Sequence, residues 1–282
     1  MNTTHLLTPS PNASTLLELR DTRDAFDSVA ADYDGPRGNN ALIQDMRSEM
    51  WRWLDAVFAT PSTLIDIGCG TGIDAIRMAR LGHHVTATDW SPQMVRRTHA
   101  RAEHDRLTAS VQALTVGAHE LHRLGGDGRY DGAYSNLGPL NCVPDLNAVS
   151  RECARLLKPR GVLVFTVIGR ICPWEIVHFV RKREWARAKV RFLRGFVPVG
   201  MNRHTIWTHY YSPSEFYRPF GRHFTLEHYR GLCVFAPPPY IPQFREQNSS
   251  WYRRLWRLDQ RLAGRPVLRA MGDHFLIVMR KR

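Results

Sequence analysis

Long apolar runs and paired cysteines are both absent from this sequence. No stretch reaches the roughly 18 uninterrupted apolar residues that a membrane-spanning helix requires. The five cysteines are widely separated and include no C-x-x-C pair, which argues against a zinc or dithiol redox site. Residues 1–15 lack the basic start and apolar core of a signal peptide, so we expect a flexible tail there. These absences favour a cytoplasmic protein with free thiols and no bound metal, with peripheral contact to the inner face of a membrane as the open alternative.

Acidic residues are fewer than basic ones, 26 against 39, so the formal net charge is +13, and most of the positive charge is carried by arginine. A charge of this size favours contact with nucleic acid, an anionic membrane face or an acidic substrate, but a solvated surface explains it equally well. The hydrophobic fraction of 43% is enough for a full core. At 282 residues, the chain is long enough for one large domain that carries an insertion.

Apolar, β-branched runs alternate with amphipathic segments through most of the chain. The runs that predict strands are residues 64–67, 84–88, 110–116, 130–135, 162–168, 225–232 and 275–279. The segments with helical spacing are residues 16–32, 41–59, 72–81, 91–104, 147–157, 214–220 and 248–263. This alternation predicts an α/β fold with a Rossmann-like, doubly wound, mostly parallel sheet of seven strands and an inserted cap of helix and strand.

Two insertions interrupt the alternation within a domain that we place at residues 16–282. The first, at about 171–211, is basic and aromatic, and we expect it to be helical up to Arg203 with strand character over 205–211. It follows strand five on the ligand side of the sheet, so it is predicted to cap the carboxyl ends of strands four and five. The second, at about 236–270, is helical and rich in arginine.

One apolar stripe marks the helix predicted in the second insertion. Trp251, Leu255, Leu258 and Leu262 share a face of this helix, and arginines occupy its other sides. Such a stripe more often packs on its own domain, and this is the interpretation that we favour. The open alternative is a helix that lies in the interface of an anionic membrane.

A glycine-rich turn joins the first predicted strand to the helix that follows it. Residues 64–72 read Leu-Ile-Asp-Ile-Gly-Cys-Gly-Thr-Gly, and three glycines let the backbone approach a ligand without Cβ clashes. The dinucleotide fingerprint needs its third glycine where this chain has Ile73, so a pyrophosphate is not the indicated ligand. Asp66 would repel a pyrophosphate and attract a cationic group. Asp89 ends the next strand, where a carboxylate can accept hydrogen bonds from ribose hydroxyls.

These motifs resemble those of one enzyme family. Residues 64–72 resemble motif I of the class I S-adenosylmethionine-dependent methyltransferases, and residues 89–91 resemble the ribose-binding end of their second strand. Residues 156–161 are similar to the family's turn into strand five, and the resemblance spans about residues 26–168. It implies that S-adenosylmethionine is the cofactor. The residues that the resemblance places around it are Asp66, Gly68, Cys69, Gly70, Gly72, Asp89 and Trp90.

Two further segments bear on the cofactor. Residues 26–34 resemble the leading helix of quinone-type and other small-molecule methyltransferases, whose tyrosine closes over the cofactor's methionine end. The resemblance implies a lid role for Tyr33, and a packing aromatic is the open alternative. After strand three, many relatives have Gly-Asp, whose aspartate bonds the adenine amine, but here Ala118 follows Gly117. Backbone groups at Ala118 or the ring of His119 are the candidates for that contact.

The acceptor is expected to bind close to the loop after strand four. Asn136 leaves the carboxyl edge of the sheet there and is predicted to lie near the methyl group. Leu137 and Gly138 stand where the amino-group methyltransferases that act on adenine in DNA have prolines. The sequence therefore does not predict that class of enzyme.

Three cap residues are candidate acceptor contacts or bases. Glu175 opens the cap, and His209 and Tyr210 lie at its far end, with ordinary packing as the open alternative for each. The aromatic cap favours methyl transfer to O, N or C of a small, apolar or aromatic metabolite. An RNA methyltransferase that uses the basic surface is one alternative, although no RNA-binding module is recognisable and no specific nucleic acid partner is expected. A noncatalytic, methyltransferase-like scaffold at a membrane is the other.

Overall fold

One sheet of seven strands organises the computed structural model, which describes residues 13–36 and 38–282. The strands in chain order are β1 (Thr63–Ile67), β2 (His84–Asp89), β3 (Val111–Thr115), β4 (Tyr130–Ser135), β5 (Leu157–Ile168), β6 (Val197–Met201), β7 (His204–Thr208), β8 (Phe224–Leu232) and β9 (His274–Lys281). The order in the sheet is β3-β2-β1-β4-β5-β9-β8, and β9 runs antiparallel to both of its neighbours while the other pairs are parallel. The predicted doubly wound, mostly parallel sheet is confirmed.

Helices connect the strands, and several of them start where a side chain caps the first turn. They are α1 (Ala13–Val29), α2 (Ala41–Val57), α3 (Ile73–Arg80), α4 (Pro92–His104), α5 (Leu146–Leu156), α6 (Pro173–Arg181), α7 (Trp185–Ala188), α8 (Pro213–Tyr217), α9 (Pro242–Gln247) and α10 (Ser249–Leu262). Asn40 caps α2, Ser91 caps α4 and Asp145 caps α5, each by accepting hydrogen bonds from backbone N–H groups of the first turn. These caps explain why the predicted starts of α2, α4 and α5 lie within one residue of the observed ones.

The apolar run of β5 is buried on both faces of the sheet. Leu163 and Phe165 belong to the core on one face, and Val162 and Val164 belong to the core on the other. A strand buried on both sides cannot alternate between apolar and polar residues. This is why β5 is apolar almost continuously from residue 162 onward.

The N-terminal helix starts earlier than the sequence predicts. α1 begins at Ala13, so the last residues of the predicted tail are helical. The rest of that tail, residues 1–12, lies outside the described residues. None of the helices that the structure describes combines the length and the apolar character needed to cross a membrane.

A β-hairpin forms the second half of the first insertion. β6 and β7 pair in antiparallel fashion, so the prediction of helix up to Arg203 is wrong for residues 197–201. Asn202 and Arg203 both adopt positive φ angles, of 46° and 66°, which suits a two-residue hairpin turn. The hairpin lies against α1, because Trp207 donates from its backbone N–H to Thr22 Oγ1 at 3.1 Å. The first half of the insertion forms α6 and α7.

The long helix of the second insertion is oriented by a buried aspartate. Asp259 on α10 accepts hydrogen bonds from the backbone N–H groups of residues 234–236 at 2.8 to 3.0 Å. Tyr252 is buried on the same side of the helix. Trp251 and Leu258 are consequently 58% and 39% exposed, so the expectation that the stripe packs on the domain is wrong for these two residues, while Leu255 and Leu262 are half-buried.

Candidate active site

A cavity opens at the carboxyl edge of the sheet, where β1, β2 and β4 end. Nine of the eleven residues predicted to bind cofactor are in its walls: Tyr33, Gly68, Cys69, Gly70, Asp89, Trp90, Ala118, His119 and Asn136. Of the other two, Gly72 lies between the wall residues Thr71 and Ile73, and Asp66 lies two residues before the wall residue Gly68. Residues from α1, the loop after β4 and the cap hairpin complete the walls. The topology thus brings most of the predicted cofactor residues together.

Asp89 is held in place by the glycine turn. Its Oδ2 accepts a hydrogen bond from the Gly70 backbone N–H at 2.9 Å, and its Oδ1 accepts one from the Ser91 N–H at 2.9 Å. Burial raises the pKa of Asp89 to about 6, although these backbone hydrogen bonds lower it. A half-buried carboxylate at a cavity wall is suited to accept hydrogen bonds from a diol such as a ribose.

Gly68 allows the loop after β4 to approach the glycine turn. Its φ is +75°, and a Cβ at this position would lie 2.3 Å from Cβ of Pro139. A side chain would therefore displace a rigid proline that also lines the cavity. The close approach of these two loops needs glycine at position 68.

Asp66 is a buried carboxylate with unused hydrogen-bonding capacity. It is 1% exposed, and its Oδ2 has no hydrogen-bond partner among the described residues. Burial raises the pKa of Asp66 well above its usual range, and the neighbouring charge of Asp74 raises it further, while Arg47 lowers it. A cationic group is the ligand that such a site lacks. These residues therefore fit the ammonium end of an amino acid.

Arg47 and Asp74 form an ion pair in the cavity wall that sequence reasoning missed. The Arg47 guanidinium donates to Asp74 Oδ2, and Trp51 Nε1 donates to Asp74 Oδ1 at 2.7 Å. Asn136 is tied to the same carboxylate, with its Nδ2 3.1 Å from Oδ2. A signal for this pair is present in the sequence, since Arg47 follows Met46 on the apolar face of α2. A charged side chain on a buried face indicates that it has a partner of opposite charge.

Tyr33 lies over the glycine turn. Its Cε1 is 3.9 Å from the place that a Cβ of Gly70 would occupy. The adjacent Asp34 accepts a hydrogen bond from Thr71 Oγ1 at 2.6 Å and pairs with Arg101. These contacts hold the segment that follows α1 against the turn. Tyr33 is thus positioned to cover a ligand bound at the turn.

His119 and Trp90 form the wall that follows the ends of β3 and β2. Their ring centroids are 4.4 Å apart in an edge-to-face arrangement. Burial lowers the pKa of His119, so the neutral imidazole, which can accept a hydrogen bond, is favoured. Ala118 also lines the cavity through the same turn. This arrangement suits a flat heterocycle that carries an amine.

Glu175, His209 and Tyr210 lie outside the cavity walls. Glu175 is buried in an ion pair with Arg191, at 2.7 Å, and Tyr240 donates to the same carboxylate at 3.0 Å. Tyr210 lies under the Arg191 guanidinium, which is 5.1 Å from its ring centroid. The contacts of Glu175 and Tyr210 therefore do not support the prediction that they are acceptor contacts or bases, because the buried guanidinium of Arg191 engages both side chains.

His209 joins the end of the cap to the loop after β4. Its backbone N–H donates to the Asn141 carbonyl at 2.8 Å, and the Asn141 side-chain amide donates to the His209 carbonyl at 2.7 Å. The His209 ring stacks on Tyr211, with ring centroids 4.2 Å apart. These contacts engage both the backbone and the ring of His209 within the protein.

Other residues of the cavity walls were not predicted from the sequence. Leu19 and Phe26 come from α1, Cys142 and Val143 come from the loop after β4, and Ile206 comes from the cap hairpin. Each is an ordinary apolar or weakly polar residue in the sequence, so no motif identifies it. Among the described residues, no group of His, Cys, Asp and Glu is arranged to hold a metal ion.

Comparisons with known proteins show which family the chain resembles. A family model described as a methyltransferase domain matches residues 64–161. The ubiquinone biosynthesis O-methyltransferase of Xanthomonas campestris pv. campestris is 31% identical over 170 residues, which cover 58% of this chain and 67% of the relative. Its counterpart from Xanthomonas oryzae pv. oryzae is 34% identical over 145 residues, which cover 49% of this chain and 56% of the relative.

Solved structures show the same fold at low sequence identity. Geranyl diphosphate C-methyltransferase from Streptomyces coelicolor A3(2) aligns with a TM-score of 0.60 and 15% identity, over 97% of this chain and 100% of that chain. The Burkholderia thailandensis 1,6-didemethyltoxoflavin-N1-methyltransferase aligns with a TM-score of 0.57 and 18% identity, over 97% and 93% of the two chains. With the glycine turn and Asp89 in the walls of one cavity, and with the Xanthomonas campestris relative covered over 67% of its length, the chain belongs to the class I S-adenosylmethionine-dependent methyltransferases.

Proposed function

We propose that this protein methylates a small apolar or aromatic molecule that binds between the glycine turn and the cap hairpin. The observation that carries the proposal is the apolar part of the cavity wall. It is formed by Leu19, Phe26, Pro139, Val143, Ile168 and Ile206. Such a surface favours an apolar or aromatic acceptor over a charged one, because a charge would lose its hydration there.

The relatives support a small-molecule acceptor without selecting the atom. They include O-methyltransferases of ubiquinone biosynthesis, a geranyl diphosphate C-methyltransferase and an N1-methyltransferase of 1,6-didemethyltoxoflavin. Transfer to O, C and N is thus found on this one fold, since acceptor choice depends on the site and not on the sheet. The proposal for this chain accordingly covers all three atoms.

The cofactor contacts follow from the same cavity. When bound, S-adenosylmethionine supplies an electrophilic methyl group on a sulfonium with a neutral leaving group. In our proposal, Asp89 and Trp90 hold the ribose, and His119 faces the adenine. Asp66 and Arg47 hold the two charged ends of the amino acid part, since one is an acid and the other a base. Alignment of the methyl group with the acceptor provides much of the acceleration.

The titratable side chains in the walls are poorly suited to remove a proton from the acceptor. Burial raises the pKa of Cys142 to about 12, so this thiol is protonated at neutral pH. Asp74 is already paired with Arg47, and in our proposal His119 and Asp89 are engaged by the adenine and the ribose of the cofactor. The acceptor is therefore expected to bring its own nucleophile, or to release its proton to water. A phenol or an amine meets this requirement.

Cofactor affinity is expected to fall as the pH drops below 6. Ribose hydroxyls donate to the ionised form of Asp89, so the ligand stabilises the carboxylate and is bound less well when Asp89 is protonated. The dissociation constant of S-adenosylhomocysteine should rise by up to about tenfold between pH 6 and pH 5, and level off above pH 7. Calorimetry across this pH range measures the dissociation constant. Asp89→Asn is the control, because it removes the titrating group, and an equal pH dependence in both proteins would exclude Asp89 as its cause.

Transfer of label from the cofactor tests the proposed function directly. The protein is incubated with methyl-labelled S-adenosylmethionine and a cell extract that is then divided into lipid, polar metabolite and RNA fractions. We expect the label in an apolar fraction, and Asp89→Ala as control should abolish it. Label in RNA would instead support an RNA methyltransferase. No label in any fraction, with cofactor binding intact, would support a noncatalytic protein.

The acceptor identified in this way tests the role of the cap hairpin. Ile206→Ala is expected to lower kcat/KM for the acceptor about tenfold, because apolar contact area is lost. Affinity for S-adenosylhomocysteine should stay within about threefold of wild type. Val199, which pairs with Ile206 across the hairpin, is outside the cavity walls, so Val199→Ala is the matched control. Equal losses in both variants would mean that the hairpin acts through stability and not through acceptor contact.

A further inference from the structure

The exposed large apolar side chains that the structure describes are concentrated in the two insertions. Nine of twelve lie there: Val177, Val180, Trp185, Phe192, Leu193, Tyr240, Trp251, Leu258 and Val267. Val267 is 70% exposed, and Trp251 is 58% exposed. Contiguous exposed apolar residues on a protein surface commonly mark an interaction site.

The exposed side of α10 combines these residues with arginine. This side, the α10 face, consists of Trp251, Arg253, Arg254, Arg257, Leu258 and Arg261. None of its arginines forms a salt bridge with the described residues. Within residues 249–272 the sole acidic residue is Asp259, which is buried against the backbone of residues 234–236. The positive charge of the α10 face is therefore not neutralised within this part of the chain.

The cap lies next to this insertion and carries the same combination. Trp174 at the start of α6 packs on Phe244 of α9, with ring centroids 5.4 Å apart. Its Nε1 donates to the Phe235 carbonyl at 2.7 Å. Trp185 on α7 is 57% exposed and is preceded by the basic residues 181–183. Basic and apolar surface is thus present on both insertions, which contact each other.

We infer that the α10 face docks on a bilayer that contains anionic phospholipids. Tryptophan and leucine enter the boundary between headgroups and acyl chains, while arginines contact the phosphates and lay their aliphatic stems on the apolar region. A nucleic acid would also attract the arginines, but it would leave Leu258 and Val267 in water. The inference rests on the proposed function in one respect, since an apolar acceptor would be concentrated in such a membrane.

Sedimentation with vesicles tests this inference on the full chain. Vesicles of phosphatidylcholine alone are compared with vesicles that contain about 30% phosphatidylglycerol, at physiological salt. We expect binding to the anionic vesicles alone, with a marked loss when the salt is raised. The test variant replaces Arg254, Arg257 and Arg261 by glutamine and should bind at least about tenfold more weakly. Trp251→Ser should also weaken binding without a change in charge.

A second triple variant controls for net charge. It replaces three exposed arginines outside the insertions, Arg106, Arg151 and Arg222, by glutamine. Its vesicle binding should stay within about twofold of wild type. Equal losses in the two triple variants, or equal binding to neutral vesicles, would overturn the inference. So would tight binding of an RNA oligonucleotide at physiological salt that is lost in the α10 variant only.

Methyl transfer measured in the same preparations separates this inference from the proposed function. A protein that methylates an apolar acceptor and ignores anionic vesicles would contradict the docking alone. A protein that binds the vesicles through the α10 face and labels no small molecule would contradict the proposed function alone. Binding of S-adenosylhomocysteine by each variant confirms that it is folded.

Discussion

Replacing Arg191 by methionine is expected to lower the free energy of unfolding by about 3–5 kcal/mol. Arg191 is 6% exposed, and its Nη2 lies 2.7 Å from Glu175 Oε2 and 2.6 Å from Asp273 Oδ1. Its Nη1 donates to the Gly169 carbonyl at 2.9 Å. Methionine has a similar length but no charge, so it would leave the buried carboxylate of Glu175 without a cation and that of Asp273 with His274 alone. Urea denaturation followed by circular dichroism measures the change.

Arg187→Met is the matched control for this prediction. Arg187 lies in the same cap and pairs with Glu184, but its side chain is 66% exposed. An exposed pair contributes little, so the free energy of unfolding should change by less than about 1 kcal/mol. Affinity for S-adenosylhomocysteine should be close to wild type in both variants, because neither arginine lines the cavity. An Arg191→Met protein as stable as wild type would show that the cap is held by other contacts.

The same cluster predicts how this difference depends on pH. Burial opposes ionisation of Asp273, but Arg191 and His274 hold its pKa well below the usual range. A carboxyl group with a depressed pKa in the folded state contributes stability above its unfolded pKa and loses that contribution as the pH falls. The difference in free energy of unfolding between wild type and Arg191→Met should therefore be largest at neutral pH and become smaller below about pH 4.

Asp89→Ala is expected to weaken binding of S-adenosylhomocysteine at least about 100-fold, which corresponds to at least about 2.8 kcal/mol. Two ribose hydroxyls would lose a charged acceptor, and each such hydrogen bond contributes about 1.5–3 kcal/mol. The variant also removes the acceptor of the Gly70 N–H, so the glycine turn loses a fixed contact. Asp89→Asn keeps one acceptor oxygen and should lose about tenfold. Calorimetry at pH near 7.5, which is above the pKa of about 6 for Asp89, measures both.

An aspartate far from the cavity provides the control. Asp127 is exposed and pairs with Arg155, so Asp127→Ala should bind the ligand as wild type does. Equal affinity in wild type and Asp89→Ala would remove Asp89 from the site. Tight binding of a nicotinamide dinucleotide by the wild-type protein would contradict the assignment of the cofactor.

Local sequence was sufficient to predict the sheet and to select residues that the fold brings to one cavity. The glycine turn, the strand before it and the helix after it depend on residues close together in the chain, and Gly68 and Gly70 adopt the positive φ angles that glycine permits. Asp89 could be placed because it ends the strand next to β1 in a parallel sheet, where the topology brings strand ends to one edge. The alternation of strand and helix likewise predicted the seven strands of the sheet.

The remaining walls of the cavity and the exposed surface were decided by the tertiary structure. Glu175 forms an ion pair with Arg191. Ile206 of the hairpin and Leu19 of α1 both line the cavity. The exposure of Trp251 depends on hydrogen bonds that Asp259 accepts from a distant backbone segment. Such contacts join residues far apart in sequence, and the identity of a single residue does not specify its partner. Periodicity predicts which face of an element is apolar, but only packing determines what that face meets.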